Sequence, residues 1–342
     1  MNSRLCHALC ALLILVPAFA TPAAAFTYRD KMGRTVTVTT PVKRAVLYET
    51  YELLPITGAW NQVAGLSRYA RSNDLLLAIN GTRLRRIPDA GSAMDTNGEL
   101  LLKLKPDVVL TWTVNPAAVR FLEHKGLTVI AVYPESINEL YGVMRMQGRL
   151  FGQEKRVEAA IVRMEGLFSL IRKRVAGIPP SQRKTALYLT GKQTRANGRI
   201  GVTNDLFNLM GLKNAGNEIN QRSCEVPLER IISWNPDLVF IWGNARYSAA
   251  DLKGNPQWRH IKAVRNGAVF KEPKWGTWSP RLAPIALWMA SRAYPERFRD
   301  LNIDKTIDRF YRDLYGIPYA RVRQIENSLP AQRNSYGKNE RF

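Results

Sequence analysis

Apolar residues fall along this chain in short unbroken runs, and stretches with apolar positions every three or four residues separate them. The runs RAVLY (44–48), QVAGL (62–66), DVVLT (107–111) and LTVIAVY (127–133) are apolar on both alternating faces. That pattern predicts strands of a parallel sheet covered on both sides. Helical patterns lie between them, one from about Leu54 to Gly58 and one from Pro116 to His124. The theme returns later with TALYLT (185–190), DLVFIW (237–242) and GAVFKE (267–272) as strands and LERIISW (228–234) as a helix. A further helix is expected over Asn204–Gly211, with Asn204 as its cap and Gly211 as its stop. Ahead of all these, FTYRDKMGRTVTVT alternates about Lys31-Met32-Gly33 and reads as a hairpin.

Between the two sets runs a longer helical stripe. Val157, Ile161, Met164, Phe168, Ile171 and Val175 are spaced 4, 3, 4, 3, 4, one face of a continuous helix between Gly152 and Pro179-Pro180. From Lys155 to Val175 such a helix is about 31 Å long. Its length and its place between the two sets suggest a rigid strut joining two lobes.

The two sets also share letters. KPDVVLTW (105–112) and NPDLVFIW (235–242) match, and the match extends upstream. Glu99 and Glu229 each stand seven residues before the proline, and Leu101-Leu102 aligns with Ile231-Ile232. Internal self-similarity of this kind reports duplicated architecture. Each copy reads as a short helix stopped by proline, then a Pro-Asp turn, then a strand ending in tryptophan. The glutamates are not explained by that plan; as first-turn helix residues they are favoured by the dipole by about 0.3–1 kcal/mol.

Composition narrows the setting. The 342 residues are 46% hydrophobic, enough for two packed lobes. Arg4, the apolar run Ala8–Ala20 and Ala23-Ala24-Ala25 form the three parts of a cleavable export signal, residues 1–25. Its apolar run is too short for a bilayer, which needs about 20 residues. Export removes Cys6 and Cys10 and leaves Cys224 as a lone thiol, so no internal disulfide is expected. The formal charge of +22 suits anionic ligands or surfaces; with no nucleic-acid motif in an exported chain, nucleic acid is not expected as a partner. The last stretch, residues 320–342, is polar and basic and is expected to be disordered.

The export signal, the hairpin, the two α/β lobes, the long central helix and E-x-[LI]-[LI]-x-x-x-P-D-[VL]-V in each lobe together resemble the periplasmic substrate-binding proteins of ABC importers for ferric siderophores, haem and vitamin B12. The resemblance runs from Phe26 to about Tyr319. NDLFNLMGLKNAG (204–216) is a second local match, and WSPRLAPIALWMASRAYPERF (278–298) is similar to a subgroup that includes iron and molybdate or tungstate binders. It implies an α/β fold class: two Rossmann-like lobes with mostly parallel sheets, an N-terminal lobe at 26–136, linking helices at 137–178 and a C-terminal lobe at 179–319. It implies a periplasmic solute receptor, monomeric and not an enzyme, that needs no resident cofactor. Its ligand, a metal chelate, would sit in the interlobe cleft and pass to an inner-membrane ABC permease. In that family one glutamate per lobe pairs with permease arginines, and Glu99 and Glu229 hold the matching positions.

Open parallel sheets bind ligands beyond the carboxyl ends of their strands. Those ends carry Tyr48-Glu49, Arg68-Tyr69, Trp112 and Tyr133 in the first lobe, Lys192 and Trp242 in the second, and the loop Trp275–Arg281. Arginine offers paired contacts to anions, and tryptophan and tyrosine offer flat apolar walls. Tyr48, Arg68, Trp112, Trp242, Trp275, Trp278 and Arg281 are therefore the candidate ligand contacts, for a bulky anionic chelate such as a ferric siderophore. Haem, a corrinoid, or molybdate or tungstate are the alternatives. An exported α/β enzyme is the alternative from another class. Against it, the chain has no G-x-G-x-x-G after a strand, no phosphate-binding loop and no G-x-S-x-G, and only His124 and His260 follow the signal.

Overall fold

The structure, a computed structural model, describes residues 24–329. The export signal therefore falls almost wholly outside the described residues; Ala24 and Ala25 pair with Thr40 and Thr39 in the predicted hairpin.

Each lobe is built on a sheet with the same order. In the first, Ala45–Leu47 lies between Val63–Leu66 and Val108–Trp112, and Val129–Val132 follows on the outside, all parallel. In the second, Thr185–Leu189 lies between Lys213–Asn214 and Leu238–Ile241, and Val269–Lys271 is outermost, again parallel. Numbered along the chain, the parallel strands of both lobes run 2-1-3-4 in space. The second lobe adds an antiparallel edge, Arg195–Asn197 paired with Ser223–Glu225, that the hydrophobic pattern did not announce.

Both faces of the first sheet are buried. Leu47, Leu110 and Ile130 pack on one side, and Val46, Tyr48, Val109 and Ala131 on the other, the alternation a pleated strand requires.

The repeated octapeptide now has a mechanical explanation. The helices Gly98–Leu104 and Leu228–Trp234 both end in a left-handed residue, Lys105 (φ 46°) and Asn235 (φ 43°). The following proline disfavours continued helix at that position. Each aspartate then reaches sideways to the first strand of its own sheet. Asp107 accepts from the backbone N–H groups of Lys43 (2.7 Å) and Arg44 (2.8 Å). Asp237 accepts from that of Thr185 (2.8 Å). The Pro-Asp pair is thus a latch that fixes the third strand against the first in both lobes.

The strut is the helix Glu154–Val175, 22 residues and about 33 Å long. All six stripe residues are buried. It packs on Ile137–Phe151, on the short first-lobe helix Leu54–Thr57 and on Leu282–Ala293. The core it organises is continuous across the lobes, running from Leu53 and Leu75 to Phe240 and Leu287.

Two expectations change. The helix foreseen from Asn204 begins at Val202, capped by Gly201; Asn204 lies inside its first turn and accepts a hydrogen bond from the Asn214 amide at 3.1 Å. The segment after Tyr319 does not fray at once: Tyr319–Ser328 is a helix that returns to the first lobe and packs on Asp74–Arg86. Tyr319 and Val322 are its buried residues, so two well-placed apolar side chains order an otherwise polar stretch. Residues 330–342 lie outside the described residues.

Candidate functional site

The carboxyl ends of both sheets open on one cleft of about 1500 Å³ between the lobes. Its first-lobe wall carries Glu49, Tyr51, Tyr69, Trp112 and Tyr133. Its second-lobe wall carries Lys192, Arg195, Arg222, Trp242 and Arg246. The loop Trp275–Ser279 closes the base.

Aromatic rings meet across the lobes. Trp112 and Tyr133 stack with centroids 6.4 Å apart. The Trp278 ring stands edge-on to both, at 5.8 Å and 4.7 Å. The Arg222 guanidinium lies 3.8 Å over the Tyr133 ring and donates to Glu135 at 2.6 Å. Burial would raise the Glu135 carboxyl, but Lys31 and Arg222 bonded to it outweigh burial and hold it below the usual range. Rings and guanidinium together offer flat apolar surface beside positive charge, the combination that suits an anionic chelate.

Deeper in, two carboxyl groups sit in unusual surroundings. Glu49 opens onto the cleft but is packed round by protein, and burial, with Glu52 nearby, pushes its carboxyl up to about 8. Among the described residues its carboxylate has no ion-pair or hydrogen-bond partner. Glu272 is raised to about 8 by burial, an effect that its 2.7 Å bond from the Tyr188 hydroxyl opposes.

The candidate contacts separate into two groups. Trp112, Trp242, Trp275 and Trp278 line the cleft. Trp275 nevertheless shows only 3% of its surface and packs on Tyr311 and Tyr319. Tyr48, Arg68 and Arg281 do not line it. Tyr48 shares the inward phase of Val46, is fully buried, and donates its hydroxyl to the Ala90 carbonyl at 2.8 Å. Arg68 turns outward on a short helical turn and pairs with Asp95 at 2.9 Å.

Arg281 is the largest departure. It is fully buried beneath the cleft and joins the lobes. Its guanidinium donates twice to Asp74, at 2.7 and 2.8 Å, and to Glu52 at 3.1 Å; Nε donates to the Tyr311 hydroxyl at 3.1 Å. Burial alone would lower its pKa; Asp74, Tyr311 and Glu52 outweigh burial and drive it well above the ordinary value.

Sequence reasoning missed Arg222, which immediately precedes Ser223–Glu225, the second strand of the unannounced antiparallel edge. The polar, Gly- and Asn-rich run before it, AGNEINQR (215–222), was the available signal of an exposed functional loop. Glu99 and Glu229 are exposed in the first turns of their helices, at equivalent points of the two lobes. Among the described residues neither side chain makes an ion pair or hydrogen bond.

Comparison with known proteins agrees with this architecture. Residues 45–274 match the family described as periplasmic binding protein. The chain is 22% identical over 319 residues to the molybdate-binding protein MolA of Haemophilus influenzae, covering 85% of this chain and 91% of that one. It is 23% identical over 260 residues to the Fe(3+)-citrate-binding protein YfmC of Bacillus subtilis, covering 73% and 78%. The solved structure of Helicobacter pylori CeuE in its Ni-His complex superposes with a TM-score of 0.79 at 26% identity, over 88% of this chain and 99% of that one.

Proposed function

The chain belongs to the periplasmic binding protein family, and on that premise we propose that it captures a bulky anionic iron chelate between its lobes and hands it to an ABC permease. The observation that carries this choice of solute is the cleft itself. Its volume of about 1500 Å³ exceeds the roughly 300–1,000 Å³ of ordinary small-molecule sites. A bare tetrahedral oxyanion would leave most of it to water. Ring faces from both lobes and the cationic second-lobe wall match the apolar and anionic parts of a ferric chelate. The iron-citrate relative supports the same class.

A molybdate receptor is the second reading, favoured by MolA and by Arg222, whose planar group is suited to an oxyanion. The two separate in one experiment. Metal-free protein is titrated with ferric citrate, ferric hydroxamates, haem and molybdate, following the fluorescence of the cleft tryptophans. Saturable quenching by a ferric chelate and none by molybdate is expected. Response to molybdate alone would overturn the iron reading.

The protein binds and releases its solute unchanged and works as a monomer in the periplasm after cleavage before Phe26. N-terminal sequencing and light scattering of the periplasmic form check both points. Glu99 and Glu229 are the docking carboxylates, one per lobe, and meet basic residues of two permease subunits. Exposed pairs of this kind set register and encounter rate more than affinity.

A further inference from the structure

The two walls of the cleft do not carry the same charge. The second-lobe wall is basic. Beneath the first-lobe floor lies Arg281, already shared between Asp74 and Glu52. Glu49, with Glu52 nearby, has no cation beside it among the described residues. Two observations show that this floor has polar capacity left over. Glu52 is 5% exposed and accepts through Oε1 from Asn73 (2.6 Å) and Arg281 (3.1 Å), yet among the described residues its Oε2 has no hydrogen-bond partner although the residue lines the cleft. The indole Nε1 of Trp275, in the loop that presses on it, is also buried without a partner among the described residues. The contact there is close: a Cβ at Gly276 would fall 2.6 Å from Glu52 Oε2, so glycine lets the loop seat against the carboxylate. A buried acceptor left without a donor is unfavourable, and a bound solute that supplied one would relieve it.

We propose that Glu49 and Glu52 form a subsite for a cationic N–H donor of the bound solute, a protonated primary amine carried by the organic part of the chelate. The anionic portion then faces Arg222 across the cleft, and the ammonium reaches the floor, so that a solute with separated charges is read in one orientation. The upward displacement of the Glu49 carboxyl agrees with a place that has no cation of its own. This inference rests on the reading of the cleft as a chelate receptor.

The test uses the full exported chain and a ferric trihydroxamate with a pendant primary ammonium, set against its N-acetyl derivative. The ammonium form is expected to bind about tenfold more tightly or better, the range of a charge-assisted hydrogen bond. Glu49→Gln should erase most of that difference. Equal binding of the two forms by wild type, or equal weakening of both by Glu49→Gln, overturns the subsite while leaving the receptor reading intact. If no ferric chelate binds, the receptor reading fails, and hexylammonium chloride tests the subsite alone. Stabilisation of wild type over an equal concentration of potassium chloride, lost in Glu49→Gln, supports the subsite, and no stabilisation of wild type overturns it.

Discussion

The two lobes share a strand order, a helix ended by a left-handed cap and an aspartate latch, yet they present opposite chemistry to the cleft. The shared latch lies at the amino ends of the third strands, where Asp107 and Asp237 bond to the first strands. The charges that differ lie at the carboxyl ends, beyond a tryptophan that each third strand presents, Trp112 and Trp242. There the first lobe offers Glu49, Glu52, Tyr69 and Trp112, and the second offers Lys192, Arg195 and Arg222. Duplication conserved the end that holds a sheet together and left the other end free to diverge. The lobes are then tied to each other by residues outside the repeat: the strut, the returning helix Tyr319–Ser328 and the Arg281 pair.

The largest test of that division is at the tie. Arg281→Met leaves Asp74 and Glu52 buried without their counter-charge, and about 3–5 kcal/mol of stability should be lost. Adding Asp74→Asn and Glu52→Gln should return much of it. Urea unfolding of the three forms decides, and a single variant as stable as wild type would show that the lobes do not depend on this pair.

The latches come next. Asp107→Ala and Asp237→Ala each remove a charged acceptor from backbone donors, for about 1–3 kcal/mol apiece. If the lobes are equivalent in this respect, hydrogen exchange should rise at Lys43 and Arg44 in one variant and at Thr185 in the other. Protection lost across both lobes in either variant would break the equivalence.

Glu49 and Glu272 give a smaller, pH-dependent effect. Both carboxyls are raised to about 8, so between about pH 5 and 8 the folded chain holds protons that the unfolded chain has released. Their contribution is therefore most favourable at the acid end and declines as pH rises to 8, by about 1–2 kcal/mol after allowance for solvent at Glu49. Glu272→Gln should flatten the curve more than Glu49→Gln, because Glu272 is buried and Glu49 opens on the cleft. Melting temperatures across that range measure it.

The smallest effect on stability is expected where the lobes are most alike on the surface. Reversing Glu99 and Glu229 together to arginine should change unfolding by no more than about 0.5 kcal/mol and leave solute affinity unchanged. Solute-stimulated ATP hydrolysis by the permease in vesicles should fall sharply. Full stimulation by the double variant would return both residues to the role of helix-favouring side chains.

Much of this was legible in the chain. The strut was readable because 3.6-residue periodicity over 22 residues leaves few other solutions, and its six apolar positions are the buried ones. The parallel strands other than Lys213–Asn214 were readable from their unbroken apolar runs, and the duplication from matched letters. Strand-end reasoning also found the four tryptophans that line the cleft. It failed at Tyr48, Arg68 and Arg281 because the end of a strand is a place, while the direction of a side chain depends on phase and on neighbours. For Tyr48 the phase was available in the sequence, two residues after Val46. For Arg281 a clue was present in the apolar run LAPIALWMA (282–290) that follows it, since an arginine at the start of a buried helix is carried inward with it.

Local pattern by itself determined most of the elements and the repeat, because these depend on periodicity, turn chemistry and the conformational limits of proline. Which carboxylates would face Arg281 was decided only in the tertiary structure. Asp74 and Glu52 lie 207 and 229 residues away along the chain, and no local spacing encodes a charge pair made where two lobes close on each other. The opposite charges of the cleft walls were decided in the same way. They follow from which loops the fold brings to one opening, and burial then sets how strongly each charge is felt.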